Sequence, residues 1–479
     1  MFYGREEQRK RLSDMINAQG QVVSLIYGRR RVGKSELIKQ VLRESTVDSI
    51  YYECKQTTEQ NNVDSLAELI AEKYNFPKPS FKCMEELLRF LFKKSEQEPL
   101  VIVLDEYPYL RENLQGADSI IQTIIDGNKD TSNVKLILCG SYVDTMKALL
   151  SKQNPLYGRV DVTIDLKPMD YYESSLFYEG FSEEDKVRLY SVFGGIPYYN
   201  RLIDGCKTVR DNIITLIASV GARLENEVTM YLNSEISKIT NANEVFEALA
   251  KGFSRYKDIL DQSHVSSGPT LVDILDKLIR MEVVKKEAPI NDEGNKKKAG
   301  YFVSDNLSLF YYKYIFRNIS RMNVMDSEVF YDKYIAKDFE AYHVPKCFED
   351  ICRQYLVRLN RKGKTDEIFE KIGKYYYDDP INKRNGEFDI VTLDDKGYIF
   401  YEAKFRKEKI SEAMIKEEIA QVQSTGLDCY RYGFISRSGF DCDTAENRIL
   451  INLDELYKRL SFVRINSVKN TFKAVKDTA

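Results

Sequence analysis

Five short apolar runs are spaced along the first third of the chain: VVSLIY (22–27), SIYYEC (49–54), LVIVLD (100–105), VKLILCG (134–140) and RVDVTIDL (159–166). They are rich in β-branched residues, and amphipathic helical patterns lie between them. Strands that are apolar on both faces must be covered on both faces, which predicts an α/β core with a helix-flanked parallel sheet. The 479 residues exceed what one hydrophobic core supports, so about two to four domains are expected.

The first domain is placed at 1–166. From about Pro168 to Tyr231 the pattern is helical, broken by GGIPYYN at 194–200, which predicts a small helical lid over 167–238. Three short helical segments follow, VFEALAKG, YKDILDQ and TLVDILDKLIRM, and then strand, polar turn and strand; this order predicts a winged helix over 239–305. A helical connector is expected over 306–343. In the last domain, 344–479, strands around GEFDIV and GYIFYEAKF are joined by a DDKG turn and followed by a helix from Ser411 to Gln423 and a strand RYGFISRS.

The net charge is -3, so no global field draws nucleic acid or anionic lipid, and any nucleic-acid surface must be local. No stretch approaches the roughly 18 apolar residues of a membrane span, and MFYGREEQRKRL is charged where a signal peptide is apolar, so a cytoplasmic protein is expected. The 8 cysteines form no CxxC pair and read as reduced structural thiols. Only His264 and His343 are present, which removes a histidine-rich zinc site and leaves the chemistry to carboxylates and lysines. Tyr171, Tyr172 and Tyr375 to Tyr377 read as half-buried packing rather than base-stacking platforms.

The first run leads into GRRRVGKS, in which Gly28, Gly33, Lys34 and Ser35 fit GxxxxGK[ST] and Arg29, Arg30, Arg31 and Val32 fill the variable positions. Glycines let backbone N–H groups curl around phosphates, the lysine meets the outer phosphates, and the hydroxyl ligates Mg2+. Lying between a buried strand and the helical SELIKQVL, the loop reads as an ATP site, and its arginines as solvated. The strand LVIVLD ends in Asp105, placed to hold the same Mg2+, and Glu106, placed to polarise the attacking water.

These elements resemble the AAA-like archaeal-type P-loop ATPase family over roughly residues 1–240. FYGREEQRKRL resembles its opening, KLILCGSY its fourth strand with Ser141 at the sensor position, and GGIP its lid motif. PLYGR resembles the segment carrying an arginine finger. The resemblance implies that Arg159 acts on a neighbouring subunit's γ-phosphate in a homo-oligomer; the alternative is a surface arginine ahead of a strand.

In GEFDIVTLDDKGYIFYEAKF, Asp389 lies on one strand and Glu402 and Lys404 on the next, and period-two alternation puts the last two on one face. Buried charges of this kind must pair or hold a metal. The set suits Mg2+-assisted phosphodiester hydrolysis, with Asp389 and Glu402 as ligands and Lys404 on the water. It resembles the PD-(D/E)XK nuclease fold, a restriction-endonuclease-like α/β domain, which implies roles for Glu349 on the preceding helix and for Gln421 on the following one. IGKYYYD, EFDIV and YEAKF also resemble the domain of unknown function appended to many archaeal-type ATPases. The expected function is an ATPase coupled to a DNA-directed, Mg2+-dependent nuclease domain. The alternative is a nucleotide-gated switch that binds a protein or DNA partner through a catalytically inactive, nuclease-derived domain. The middle module contributes a basic wing, Lys296 to Lys298, that is either a DNA contact or a solvated hairpin tip.

Overall fold

The computed structural model describes residues 2–236, 239–295, 297–379 and 384–460; Lys296 of the expected wing, residues 380–383 and the chain after 460 lie outside the described residues. The chain divides into two compact units. The first comprises Met1–Phe181, Val192–Lys286 and Tyr301–Tyr331, and the second Ser182–Ser191, Glu287–Gly300 and Asp332–Ala479.

In the first unit the five apolar runs form β1 (Val22–Tyr27), β2 (Asp48–Glu53), β3 (Leu100–Asp105), β4 (Val134–Gly140) and β5 (Val162–Asp165). They make one sheet in the order β2-β3-β4-β1-β5, parallel at every pairing. All residues of β1, β3 and β4 are buried, as strands apolar on both faces require. Helices Glu59–Tyr74, Met84–Lys94 and Ala117–Gly127 present Leu66, Ile70, Leu87, Leu91, Ile121 and Ile125 to a core that includes Ile102 and Leu136. Each such side chain, taken from water, contributes about 1.5–3 kcal/mol.

Strand order places the site. Because β4 lies between β1 and β3, with Tyr27 opposite Gly140 and Leu104 opposite Leu138, the three carboxyl ends sit side by side. The residues that follow them are Gly28, Ser141 and Glu106. The carboxyl edge of a parallel sheet is where ligands bind in such folds.

The expected lid contains helices Tyr171–Ser175, Glu183–Phe193, Pro197–Asn200, Val209–Leu216 and Glu227–Glu235. GGIPYYN is therefore not only a turn, since its second half is a short helix opened by Pro197, whose fixed φ suits a first helical turn. Helices Ile239–Ala250, Tyr256–Gln262 and Gly268–Arg280 precede β6 (Val284–Glu287) and β7 (Gly300–Val303), which pair with each other. Ser267 caps the third helix by accepting from Thr270 N. Beyond β7, Asp305 caps Asn306–Phe310, and the helical path continues with a π-helical turn at Tyr311–Ile315.

The second unit contains helix Val344–Arg361, β8 (Lys371–Asp379), β9 (Arg384–Asp394), β10 (Gly397–Lys404), β11 (Ile410–Ser411), helix Glu412–Ser424, β12 (Cys429–Ser436), β13 (Phe440–Asp441) and β14 (Arg448–Asn452). Its main sheet runs β14-β12-β10-β9-β8. The β8-β9-β10 part is antiparallel, and β10, β12 and β14 are parallel. The DDKG turn joins β9 to β10, with Lys396 N donating to Asp394 Oδ1 at 2.8 Å. Phe388, Phe400, Ile415, Val422 and Phe434 form the core, joined by Ile290, whose N–H donates to Lys374 O at 2.8 Å. Tyr377 stacks on Phe388 and Tyr375 meets Tyr398 edge-on, the packing role expected of this tyrosine run. Among the described residues no helix is long and apolar enough to cross a membrane.

Candidate functional site

The GRRRVGKS loop is held by close backbone approach. A Cβ on Gly28 would lie 2.2 Å from the Leu166 carbonyl oxygen, so only glycine fits there. Gly33 caps helix Lys34–Glu44 at φ 96, in the left-handed region that favours glycine. The loop is closed on itself by Lys34, which is buried and donates to Gly28 O at 2.9 Å, Arg29 O at 3.2 Å and Ser141 Oγ at 2.9 Å. Ser141 in turn donates to Glu106 through its hydroxyl and, at 3.1 Å, through its backbone N–H. Lys34, the sensor-position serine and Glu106 thus form one chain of hydrogen bonds. Glu106 itself sits at φ 50, a strained setting for a residue with a side chain.

Ser35 Oγ donates to Asp105 Oδ2 at 2.6 Å, so the two expected Mg2+ ligands, one in the first turn of helix Lys34–Glu44 and one at the end of β3, meet directly. Asp105 is buried, and burial pushes its pKa up, yet hydrogen bonds from Ser35, Tyr51, Cys139 and the Glu106 N–H hold it below its ordinary value. It is a carboxylate kept ionised in a dry setting, the donor that a hard cation requires.

One of the loop arginines departs from expectation. Arg29 is not solvated: its side chain is 2% exposed, pairs with Asp305 at 2.9 Å, and lies 4.5 Å from the Tyr231 ring centroid. Arg30 donates to Tyr142 Oη at 3.1 Å. Arg31 pairs with Glu227 over the Tyr198 ring, and Glu227 also accepts from Tyr199 Oη at 3.0 Å. Arg31 stays exposed, as expected, and solvation fails at Arg29 because Asp305 and Tyr231 reach it from distant segments. Arg5 of the opening GRE is a further loop brace, buried and donating to Lys167 O at 2.6 Å and Val32 O at 3.4 Å.

Arg159 stands apart from this cluster. It makes a two-pronged pair with Asp126, both contacts at 2.8 Å, and also donates to Pro155 O and Tyr157 O.

In the second unit, Glu402 and Lys404 pair at 2.5 Å and Lys404 reaches Glu418 at 2.9 Å. Asp389 is held by Lys346 at 3.0 Å and Lys374 at 2.8 Å, and Lys346 also meets Glu349 at 2.6 Å. Burial and the repulsion of Asp389 lift Glu349 to about 7. Burial also opposes ionisation of Asp389, but Lys346 and Lys374 hold it down at about 2. Burial raises Glu402 despite Lys404. Gln421 instead turns to Tyr377 Oη at 3.4 Å. Among the described residues no group of three or more His, Cys, Asp or Glu side chains could hold a metal ion. Sequence reading missed Lys346, Lys374 and Glu418. Lys346 was open to it as a neighbour three residues before Glu349 on one helix.

The first unit's fold and loop geometry define a P-loop ATPase. Residues 2–201 match the family of ATPase domains predominantly from Archaea, and residues 311–417 match a family of archaeal and bacterial proteins of unknown function. The chain is 27% identical over 438 residues to an uncharacterized protein of Methanocaldococcus jannaschii, covering 90% of this chain and 94% of the other. It is similar in structure to the Walker-type ATPase of Pyrococcus abyssi, with 18% identity, a TM-score of 0.49 and coverage of 65% of this chain and 96% of that one. It is also similar to the ORC2 protein of Aeropyrum pernix, with 13% identity, a TM-score of 0.42 and coverage of 64% and 91%. The protein is an ATPase.

Proposed function

We propose that the first unit hydrolyses ATP with Mg2+ and that its nucleotide state governs what the C-terminal domain does. The observation that carries this is the meeting of Lys34, Ser35, Asp105, Glu106 and Ser141 at one sheet edge. Lys34 leaves its loop carbonyls for the outer phosphates, the backbone of residues 28–33 wraps them, and Glu106 leaves Ser141 to polarise water. Ser35 and Asp105 fit Mg2+ and would hold it; when bound, it neutralises phosphate charge. Arg29 and Arg31 tie the loop to Asp305 and Glu227, so loop movement on nucleotide binding is felt beyond the core. Arg159 serves a second copy of the chain as its finger.

For the C-terminal domain we propose a nuclease-derived module of PD-(D/E)XK type. Its order of helix, three antiparallel strands, helix and parallel strand supports this, as does D389...E402-A-K404 on neighbouring strands. As arranged, the carboxylates do not fit a divalent ion, because ammonium groups already pair with Asp389 and Glu402. That pairing favours the second reading, in which the module docks DNA or a protein partner without cutting it. Supercoiled plasmid and labelled single strands, incubated with Mg2+ or Mn2+ with and without ATP, test the choice. Cleavage lost in Glu402→Ala makes the protein an ATP-associated nuclease. Absence of cleavage with ATP still bound makes it the switch, and Lys34→Ala would then alter partner affinity.

A further inference from the structure

A tyrosine that no motif predicts sits on the ATPase centre. Tyr51 lies on β2, the edge strand beside β3, and its hydroxyl donates to Asp105 Oδ2, the same oxygen that accepts from Ser35 Oγ at 2.6 Å. The other oxygen, Oδ1, accepts from the Glu106 N–H at 2.9 Å. Asp105 is therefore fixed from both ends. The backbone fixes one oxygen, while Oδ2 faces two hydroxyls of different kinds. Ser35 belongs to the nucleotide loop and is free to turn from donor to ligand. Tyr51 is anchored in the sheet, with Lys39 Nζ 4.8 Å from its ring centroid.

We infer that Tyr51 is a positioning residue for the metal of the ATPase reaction: it keeps the Asp105 carboxylate oriented when Ser35 leaves it for the cation. Outer hydrogen bonds of this kind orient ligating carboxylates, and their loss typically costs about 10–100-fold in metal affinity. The inference rests on reading Ser35 and Asp105 as the Mg2+ ligands.

The test compares Tyr51→Phe with the wild type, with Tyr52→Phe and with Ser35→Ala. Tyr52 supplies the control on the same strand: its hydroxyl donates to Asn62 Oδ1 at 2.7 Å, away from the centre. Binding of a fluorescent ADP is measured in EDTA, Mn2+ binding to the ADP complex is measured by electron paramagnetic resonance, and thermal unfolding is recorded for each variant. For Tyr51→Phe the expected result is metal-free ADP affinity within twofold of wild type, Mn2+ affinity about 10–100-fold lower, and Tyr52→Phe like wild type. Unchanged Mn2+ affinity in Tyr51→Phe while Ser35→Ala loses it would overturn the inference alone. Unchanged Mn2+ affinity in both would overturn it together with the ligand reading beneath it. Equal loss in Tyr51→Phe and Tyr52→Phe would reduce Tyr51 to a general support of the strand and overturn it too.

Discussion

Removing the carboxylate of Asp305 should destabilise the first unit more than any surface substitution. Arg29 and Asp305 have side chains only 2% and 5% exposed and meet at 2.9 Å, and among the described residues the Arg29 Nε has no hydrogen-bond partner of its own. Asp305→Ala leaves a buried guanidinium beside the Tyr231 ring without its carboxylate, at a cost of about 3–5 kcal/mol. It also removes the helix cap on Ser308 N, formed at 3.0 Å, for about 1 kcal/mol more. Asp305→Asn keeps a good cap and an acceptor, so it should cost less than Asp305→Ala. The pair Arg29→Met with Asp305→Asn removes both charges and should recover most of the loss, because apolar replacement of a buried pair is often neutral. Urea unfolding of wild type, Arg29→Met, Asp305→Asn and the double variant, closed as a double-mutant cycle, reads the coupling, with Asp305→Ala measured beside them. If Asp305→Ala lies within about 0.5 kcal/mol of wild type, the range of surface changes, the pair is not the buried clasp described above.

Two further outcomes follow from the charges. Glu349 is raised in the folded protein from 4.5 to about 7, so folding takes up a proton between those values. Its contribution is complete below the lower value and gone above the upper. Stability of the second unit should therefore lose this part as pH rises from about 4.5 to about 7, and Glu349→Gln should flatten the slope; an unchanged slope would refute the assignment. For Arg159, action across subunits predicts that Arg159→Ala lowers turnover about 10³–10⁵-fold at unchanged ATP affinity and that specific activity rises with protein concentration. Unchanged turnover would leave it the local contacts with Asp126, Pro155 and Tyr157.

Features set by neighbours in sequence were legible. The five apolar runs carry their own strand signal, because parallel strands are buried on both faces, and GRRRVGKS and LVIVLDEY name their chemistry by residue type and position. What could not be read was set by distant partners. Arg29 meets Asp305 276 residues away, and no local pattern distinguishes a solvated loop arginine from one buried on such a partner. Tyr51 looked like any β-strand tyrosine, since its relation to Asp105 depends on β2 pairing with β3. Asp389 does lie near Glu402, as expected, but Lys346 and Lys374 also reach it, from a helix and a strand whose placement only the tertiary fold determines. The π-helical turns at Asp332–Ala336 and Phe339–His343 also escape a 3.6-residue periodicity.

The most direct test of the ATPase centre is phosphate release by Glu106→Gln beside wild type, with ATP binding measured in parallel. Retained binding with turnover lowered about 10²–10⁴-fold is the predicted result, since Glu106 acts on the water and not on the nucleotide. Turnover equal to wild type at equal binding would contradict the role given to Glu106 and the catalytic centre built around it.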